Sequence, residues 1–505
     1  MVKRYQNIIK NKYIVLLIIL LFFIIIRLPY VNSYLFLSDE AVFLTLADNI
    51  NRGDIIYKDT WDFKPPLIYI VFAFLIKYFP HDILTIKIFT MVVFILTSIV
   101  LFFLSGRIFN TLTSYIIIIL YCLYSSSINI LGFSSVCEIF TVLVTSLSLL
   151  LILICLDETQ ISKRRSLLFL SGILLGIGFF LKYNIIFEMI LSLIYICYIS
   201  YMQKSQINKK ECYFILNGFL FFSLIMLIYL IYIGAFTDYM KTIFYLRNYI
   251  SLTAKPRILD SIIYTFTKSK IFILILFSLS SCIYAVFYRK DYKTMVIVLW
   301  VIGGIISKYV TNSYFMLLLP GCCIASGFLI EHFLLNWRKL RYFILILIVI
   351  FSINSYVILK QHIINVIDLS KLLIVNKRYF DREIIENVGL YIKDKTNDKD
   401  HIYVVSDYGL RDLLYFISRR KCCTKYPGFL IMNVIVPSEI KEDQISSFKS
   451  HPPKYFIVWS DKQSFDYFNY LALDYIKKTD KEYFLEEKIS DQTSNDIIFL
   501  YKLKQ

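Results

Sequence analysis

Residues Ser38 to Pro66 read SDEAVFLTLADNINRGDIIYKDTWDFKPP, a charged and aromatic stretch set between very apolar segments. It holds six acids (Asp39, Glu40, Asp48, Asp54, Asp59, Asp62) and three bases (Arg52, Lys58, Lys64), directly after the first hydrophobic run. A simple membrane anchor would need only a short turn there. Ionisable groups are costly to hold beside hydrocarbon, so their density at a bilayer surface asks for a chemical role.

The surroundings of that stretch set the class. The 505-residue chain is 58% hydrophobic and 17% aromatic, far more apolar than a soluble globular domain. It reads as a polytopic α-helical membrane protein. A crossing takes about 20 helical residues, and eleven runs approach that length with their flanks. They are Ile14 to Ile26, Ile83 to Leu104, Thr111 to Ile130, Val136 to Leu156, Ser166 to Leu181, Ile185 to Tyr201, Cys212 to Phe236, Ile271 to Phe287, Thr294 to Tyr309, Tyr314 to Leu335 and Tyr342 to Leu359. The first follows Lys3, Arg4, Lys10 and Lys12 without a small-residue cleavage site behind it, and is taken as a retained helix. The fourteen residues Pro66 to Phe79 would make a helix of about 21 Å. That is too short to cross, and the double proline suits the start of an interfacial helix.

Charge sets the expected orientation. The net +17 comes from 54 basic and 37 acidic residues. With a cytoplasmic N-terminus, the inside segments collect seventeen Lys and Arg against four acids, Asp157, Glu158, Glu211 and Asp291. That asymmetry is the positive-inside pattern. The outer-face loop, residues 31–82, and everything after Lys360 then lie outside. No compact basic domain is present, which argues against a nucleic-acid partner.

From residue 361 the composition becomes that of a soluble domain. Helix-like stretches and strand-like runs at His401 to Ser406, Lys454 to Trp459 and Ile497 to Lys502 predict an α/β domain over 361–505, behind a membrane domain over 1–360. The turn Ser406-Asp407-Tyr408-Gly409 lacks the glycine pattern of a dinucleotide site, so no such cofactor is assigned. Eight of the ten cysteines sit in apolar runs and no zinc spacing occurs. A divalent metal is left open without a sequence signal for it.

Ser38-Asp39-Glu40 opens an amphipathic helix with Val42, Phe43, Leu46, Ala47 and Ile50 on one face. Acids there cap the helix and stay ionised by its dipole. An ionised carboxylate is also what a general base for an acceptor hydroxyl must be. Lys64 precedes two prolines, on stiff backbone at the next helix N-terminus, where it could hold a phosphate or simply reach the headgroups. At this level each feature has both readings.

The combination narrows them. An Asp39-Glu40 pair after the first crossing, Gly53-x-x-x-Tyr57, Asp62-x-Lys64-Pro65-Pro66-Leu67-x-Tyr69 and Gly172-x-x-x-Gly176-x-Gly178-Phe179-Phe180-Leu181-Lys182-Tyr183-Asn184 together resemble the GT-C glycosyltransferases of the dolichyl-phosphate-mannose protein mannosyltransferase and aminoarabinose transferase group. Tyr314, with Pro320 six residues on, is similar to a late His-Tyr motif of the group, although Ser313 stands where the histidine is usual.

The resemblance implies a GT-C fold and a sugar donor on a polyprenyl phosphate, reached from within the bilayer. It implies transfer with inversion to an acceptor on the outer side, of unknown identity. It makes Asp39 the catalytic carboxylate with Glu40 as partner. Lys64, Arg247 and Lys182 become candidates for the donor phosphate, and Tyr57, Asp62, Glu138 and Tyr314 candidates to line the pocket. The bacterial plasma membrane is the expected location. A polytopic transporter or flippase of lipid-linked sugars is the rival class. It would place ionisable residues near mid-helix and often carry two similar halves.

Overall fold

A computed structural model of the chain describes residues 2–31, 38–127, 130, 132, 134–202, 208–244, 262–265, 271–289, 291–310, 315–342, 345–346, 349, 351–354, 356–357, 360, 372–375, 378–406, 410–426, 438–460, 483–490 and 497–504. Among them, eight helices are long and apolar enough to cross a membrane. Two more of the eleven expected crossings are shorter helices, Thr111–Ser125 and Ile185–Tyr201. The last expected run, 342–359, lies partly outside the described residues. Residues 66–79 do form a short helix, Leu67–Tyr78, begun behind Pro66. The chain is an integral membrane protein.

It divides into two compact units. The first comprises Met1–Val31, Lys87–Tyr229 and Ile250–Ile367. It is helical: α1 (Val2–Val31), most of α4 (Ile83–Ser105), α5 (Thr111–Ser125), α6 (Cys137–Asp157), α7 (Ile161–Leu181), α8 (Ile185–Tyr201), α9 (Cys212–Tyr232), α10 (Phe272–Tyr284), α11 (Tyr292–Ile305) and α12 (Leu319–Leu335). Long apolar runs make helices here because only intrachain hydrogen bonds satisfy a backbone surrounded by lipid. Asn110 caps α5 by accepting the Thr113 N–H at 2.9 Å.

Small residues set the helix spacing in this unit. A Cβ on Gly172 would collide with the Ile215 carbonyl, and one on Gly218 with the Phe169 carbonyl, so α7 and α9 meet backbone to backbone. The glycines of the sequence motif therefore serve close helix packing. Ser148 and Ser171 join α6 to α7 through their hydroxyls at 2.7 Å. Arg164 and Glu211, both buried, form a bidentate pair with contacts from 2.7 to 3.2 Å. Large apolar side chains such as Ile18, Ile25, Leu224 and Ile228 stay exposed, as suits a lipid-facing surface.

The second unit comprises Asn32–Ile86, Leu230–Tyr249 and Asp368–Gln505. It unites the charged loop with the C-terminal α/β region. Its front part holds α2 (Ser38–Asn51) and α3 (Leu67–Tyr78). The tail holds the hairpin β1 (Leu372–Val375) and β2 (Arg378–Asp381), then α13 (Arg382–Lys395), β3 (His401–Val405), α14 (Leu410–Ser418), β4 (Lys421–Cys422), α15 (Ser438–Ser450), β5 (Tyr455–Ser460), β6 (Tyr483–Ser490) and β7 (Ile497–Leu503). The five-stranded sheet runs β4-β3-β5-β7-β6, parallel across β4, β3 and β5 and antiparallel across β5, β7 and β6. Three strands, β3, β5 and β7, fall on the strand-like runs at 401–406, 454–459 and 497–502. The strand β6 was not expected, because a bulge between Leu485 and Glu487 breaks its alternation.

Helix α14 packs on α2. Thr45 Oγ1 donates to the Asp412 carbonyl at 2.6 Å, and Arg52 donates to the Arg419 carbonyl at 3.0 Å. Lys421 pairs with Asp54, and the Trp61 N–H donates to the Lys425 carbonyl at 2.7 Å. His81 stacks on Phe416 with ring centroids 4.6 Å apart, its Nε2 2.9 Å from Asp48 Oδ1.

Candidate functional site

Asp39 and Glu40 occupy the first turn of α2, the end where the helix dipole favours negative charge. Glu40 is buried, while Asp39 keeps 15% of its side chain accessible. Lys64 Nζ lies 2.6 Å from Asp39 Oδ2 and 4.5 Å from the Phe43 ring centroid. Asp39 and Phe43 are four residues apart on one helix, so a single face offers the ammonium both a carboxylate and a π surface. The Phe43 ring is itself held edge-on by Tyr69 and Phe72, each at 5.7 Å.

The backbone that carries Lys64 is braced from behind. Tyr57 adopts φ 70°, a left-handed conformation uncommon for a bulky residue. Its hydroxyl donates to the Lys64 carbonyl at 2.7 Å, and its buried ring lies 5.2 Å from Tyr239. Asp62 is buried, accepting from the Tyr69 hydroxyl at 2.6 Å and the Phe63 N–H at 2.7 Å. Burial pushes its carboxyl up from the ordinary value, against the opposing pull of Lys64, the Tyr69 hydroxyl and the Phe63 N–H. The Trp61 indole donates to Thr242 Oγ1 at 2.8 Å.

In the helical unit a second charged group forms. Glu138 stands in the first turn of α6 and pairs with Lys182, which caps the C-terminal end of α7. Lys308, in the π-helical turn Ile306–Val310, feels the charge of both, and its ammonium lies 4.6 Å from the Phe315 ring centroid. Two cations beside one carboxylate leave a positive excess suited to an anion. The sequence reading did not single out Lys308, the last charged residue of an otherwise apolar run. A lone lysine inside a crossing was the available signal.

The structure thus brings together Asp39, Lys64, Tyr57 and Asp62 in one unit, with Glu40 beside Asp39, and Glu138 with Lys182 in the other. Arg247 and Tyr314 lie outside the described residues.

Residues 63–232 match the model of the dolichyl-phosphate-mannose-protein mannosyltransferase family. The apo oligosaccharyltransferase of Archaeoglobus fulgidus resembles the chain with a TM-score of 0.57, at 10% identity, over 87% of this chain and 69% of that one. The chain has a GT-C glycosyltransferase fold. The A. fulgidus enzyme AglB, in complex with an inhibitory peptide and a dolichol-phosphate, extends the likeness of this GT-C chain to 97% of its length and 74% of AglB, at 11% identity and a TM-score of 0.55. ArnT from Cupriavidus metallidurans bound to undecaprenyl phosphate aligns over 98% of both chains at 10% identity, but at a TM-score of 0.47 the fold assignment does not rest on it. No curated protein matches the chain. The family match begins at Phe63, so it includes Lys64, Glu138 and Lys182 of this chain and leaves Asp39 and Lys308 outside.

Proposed function

We propose that this GT-C protein is an inverting glycosyltransferase that moves a sugar from a polyprenyl-phosphate donor to an acceptor hydroxyl or amide at the outer face of a bacterial plasma membrane. The observation that carries the reading is the Asp39–Lys64 pair at 2.6 Å, at the N-terminus of α2. The dolichol-phosphate in the AglB complex supports the choice of donor class.

The chemistry follows from the two charges. Asp39 takes the proton of the acceptor as that atom attacks the anomeric carbon. The bond from this carbon to the phosphate oxygen breaks with its electron pair, and polyprenyl phosphate leaves with increased charge. Fixed cations stabilise that charge. The arriving donor is a phosphodiester with one negative charge, like a carboxylate. As its bond to the sugar breaks it becomes a phosphomonoester of higher charge, which draws the Lys64 ammonium while Asp39 takes up the acceptor proton. The pair thus keeps both groups ionised until they are used. Within the helical unit, Glu138, Lys182 and Lys308 form a second anion-attracting cluster.

The test uses the full-length protein in native membranes supplied with polyprenyl phosphate carrying a radiolabelled sugar. Loss of label transfer in Asp39→Asn at normal protein level supports the base assignment. Unchanged transfer would remove it. Donor translocation without any transfer product in the wild type would favour the flippase class.

A further inference from the structure

Glu188, the fourth residue of α8, lines a small cavity of about 30 Å³ between α6, α7, α8 and α11. The side chain is buried, and its Oε2 has no hydrogen-bond partner among the described residues. The wall around it consists of Thr145, Ser148, Ser192, Trp300 and aliphatic side chains, with no second charged residue. On α11, Gly303 lies against this group: a Cβ there would stand 3.0 Å from Leu191 Cδ1 and 3.5 Å from Glu188 Oε1.

The hydroxyls along this wall are already committed as donors. Thr145 Oγ1 donates to the Thr141 carbonyl at 3.1 Å, and Ser192 Oγ donates to the Glu188 carbonyl at 2.8 Å. Ser148 and Ser171 are engaged with each other at 2.7 Å. What these groups offer the cavity is oxygen lone pairs. A carboxylate in such a place is costly unless its charge is matched. A proton on Oε2 would find no acceptor within reach, and the space between carboxylate and hydroxyls calls for an occupant that bridges them.

We propose that Glu188 and the hydroxyl oxygens of Thr145, Ser148 and Ser192 form a binding site for a monovalent alkali cation inside the helical bundle. An all-oxygen donor set suits a hard cation. One carboxylate neutralises one charge, so a divalent ion would remain half uncompensated in a low-dielectric interior. The site is separate from the Asp39–Lys64 pair and does not depend on the transferase reading.

Trp300 on the cavity wall supplies a local signal. In full-length detergent-purified protein, NaCl is titrated against choline chloride at constant ionic strength while tryptophan emission is followed. A saturable, Na+-specific change is expected in the wild type and its loss in Glu188→Gln, which keeps the shape and removes the charge. Ser148→Ala removes one oxygen and should raise the half-saturating concentration about tenfold, the equivalent of about 1.4 kcal/mol. Trp300→Phe should remove the signal but preserve the rise in melting temperature with Na+. An equal response to choline, a response retained in Glu188→Gln, or a response to pH but not to Na+ would each overturn the proposal.

Discussion

The Tyr57 hydroxyl donates to the Lys64 carbonyl at 2.7 Å, so a residue in a left-handed conformation sets the height of the lysine that meets Asp39. Removing that single oxygen in Tyr57→Phe leaves the ring against Tyr239 and frees the Lys64 backbone. A buried hydrogen bond of this kind contributes about 1 kcal/mol. The expected outcome is a roughly fivefold higher KM for the polyprenyl-phosphate donor with kcat little changed, measured with labelled donor in membranes.

Lys64 and Asp39 should fail differently. Asp39→Asn removes the proposed base and should lower kcat by about 10²- to 10⁴-fold. Lys64→Ala should act on donor use and should also leave Asp39 without its nearest cation. Double substitution then costs less than the sum of the two single losses, because the residues act as a unit. Additive losses in a donor-concentration series would contradict the coupling.

Asp62 carries the pH dependence of the loop. Its folded value is raised by burial, so the fold favours the protonated form. The corresponding stability is fully present below the ordinary carboxylate value and is lost as pH rises through the folded value. Asp62→Asn keeps an acceptor for the Phe63 N–H and carries no charge. Its melting temperature should exceed that of the wild type by an amount that grows from about pH 4 upward, read from thermal melts in a pH series. A constant difference across the series would contradict this.

The contacts between α14 and α2 predict a protease phenotype. Without residues 372–505, Thr45, Arg52, Asp54 and Trp61 each lose a partner. Trypsin should then cut at Arg52 or Lys58 at least tenfold faster than in the full chain, as local opening becomes easier. Mapping the fragments by mass spectrometry checks both site and rate.

Helix spacing predicts a packing phenotype. Gly172→Leu forces α7 away from the Ile215 backbone and should destabilise the detergent-purified protein by about 1 to 3 kcal/mol. Gly53→Ala meets no atom within 4 Å but sits at φ 95°, so its smaller penalty comes from the backbone alone. Comparing the two melts separates crowding from conformation.

Membrane class, the amphipathic start at Asp39 and the lysine before two prolines were legible because each is a local pattern of the kind a few residues can encode. The Glu138–Lys182 pair was half legible. Both residues stood out singly, but nothing in the sequence joins positions 44 apart. Lys308 was lost among many lysines in a chain of biased composition. The docking of α14 on α2 was invisible for a firmer reason. Its bonds to the carbonyls of Asp412 and Arg419 involve backbone, which every residue has, at separations of 367.

That separation bears on biosynthesis. A chain that has emerged only as far as its membrane helices holds Asp39 and Lys64 on a loop that still lacks α14 and the contacts from Asp412 to Lys425. Closing so long a gap is slow, so the charged loop waits for its support well after its own residues have been made. The order in which the ribosome delivers the chain thus sets when the Asp39–Lys64 loop takes its braced form, which comes only once α14 has been made.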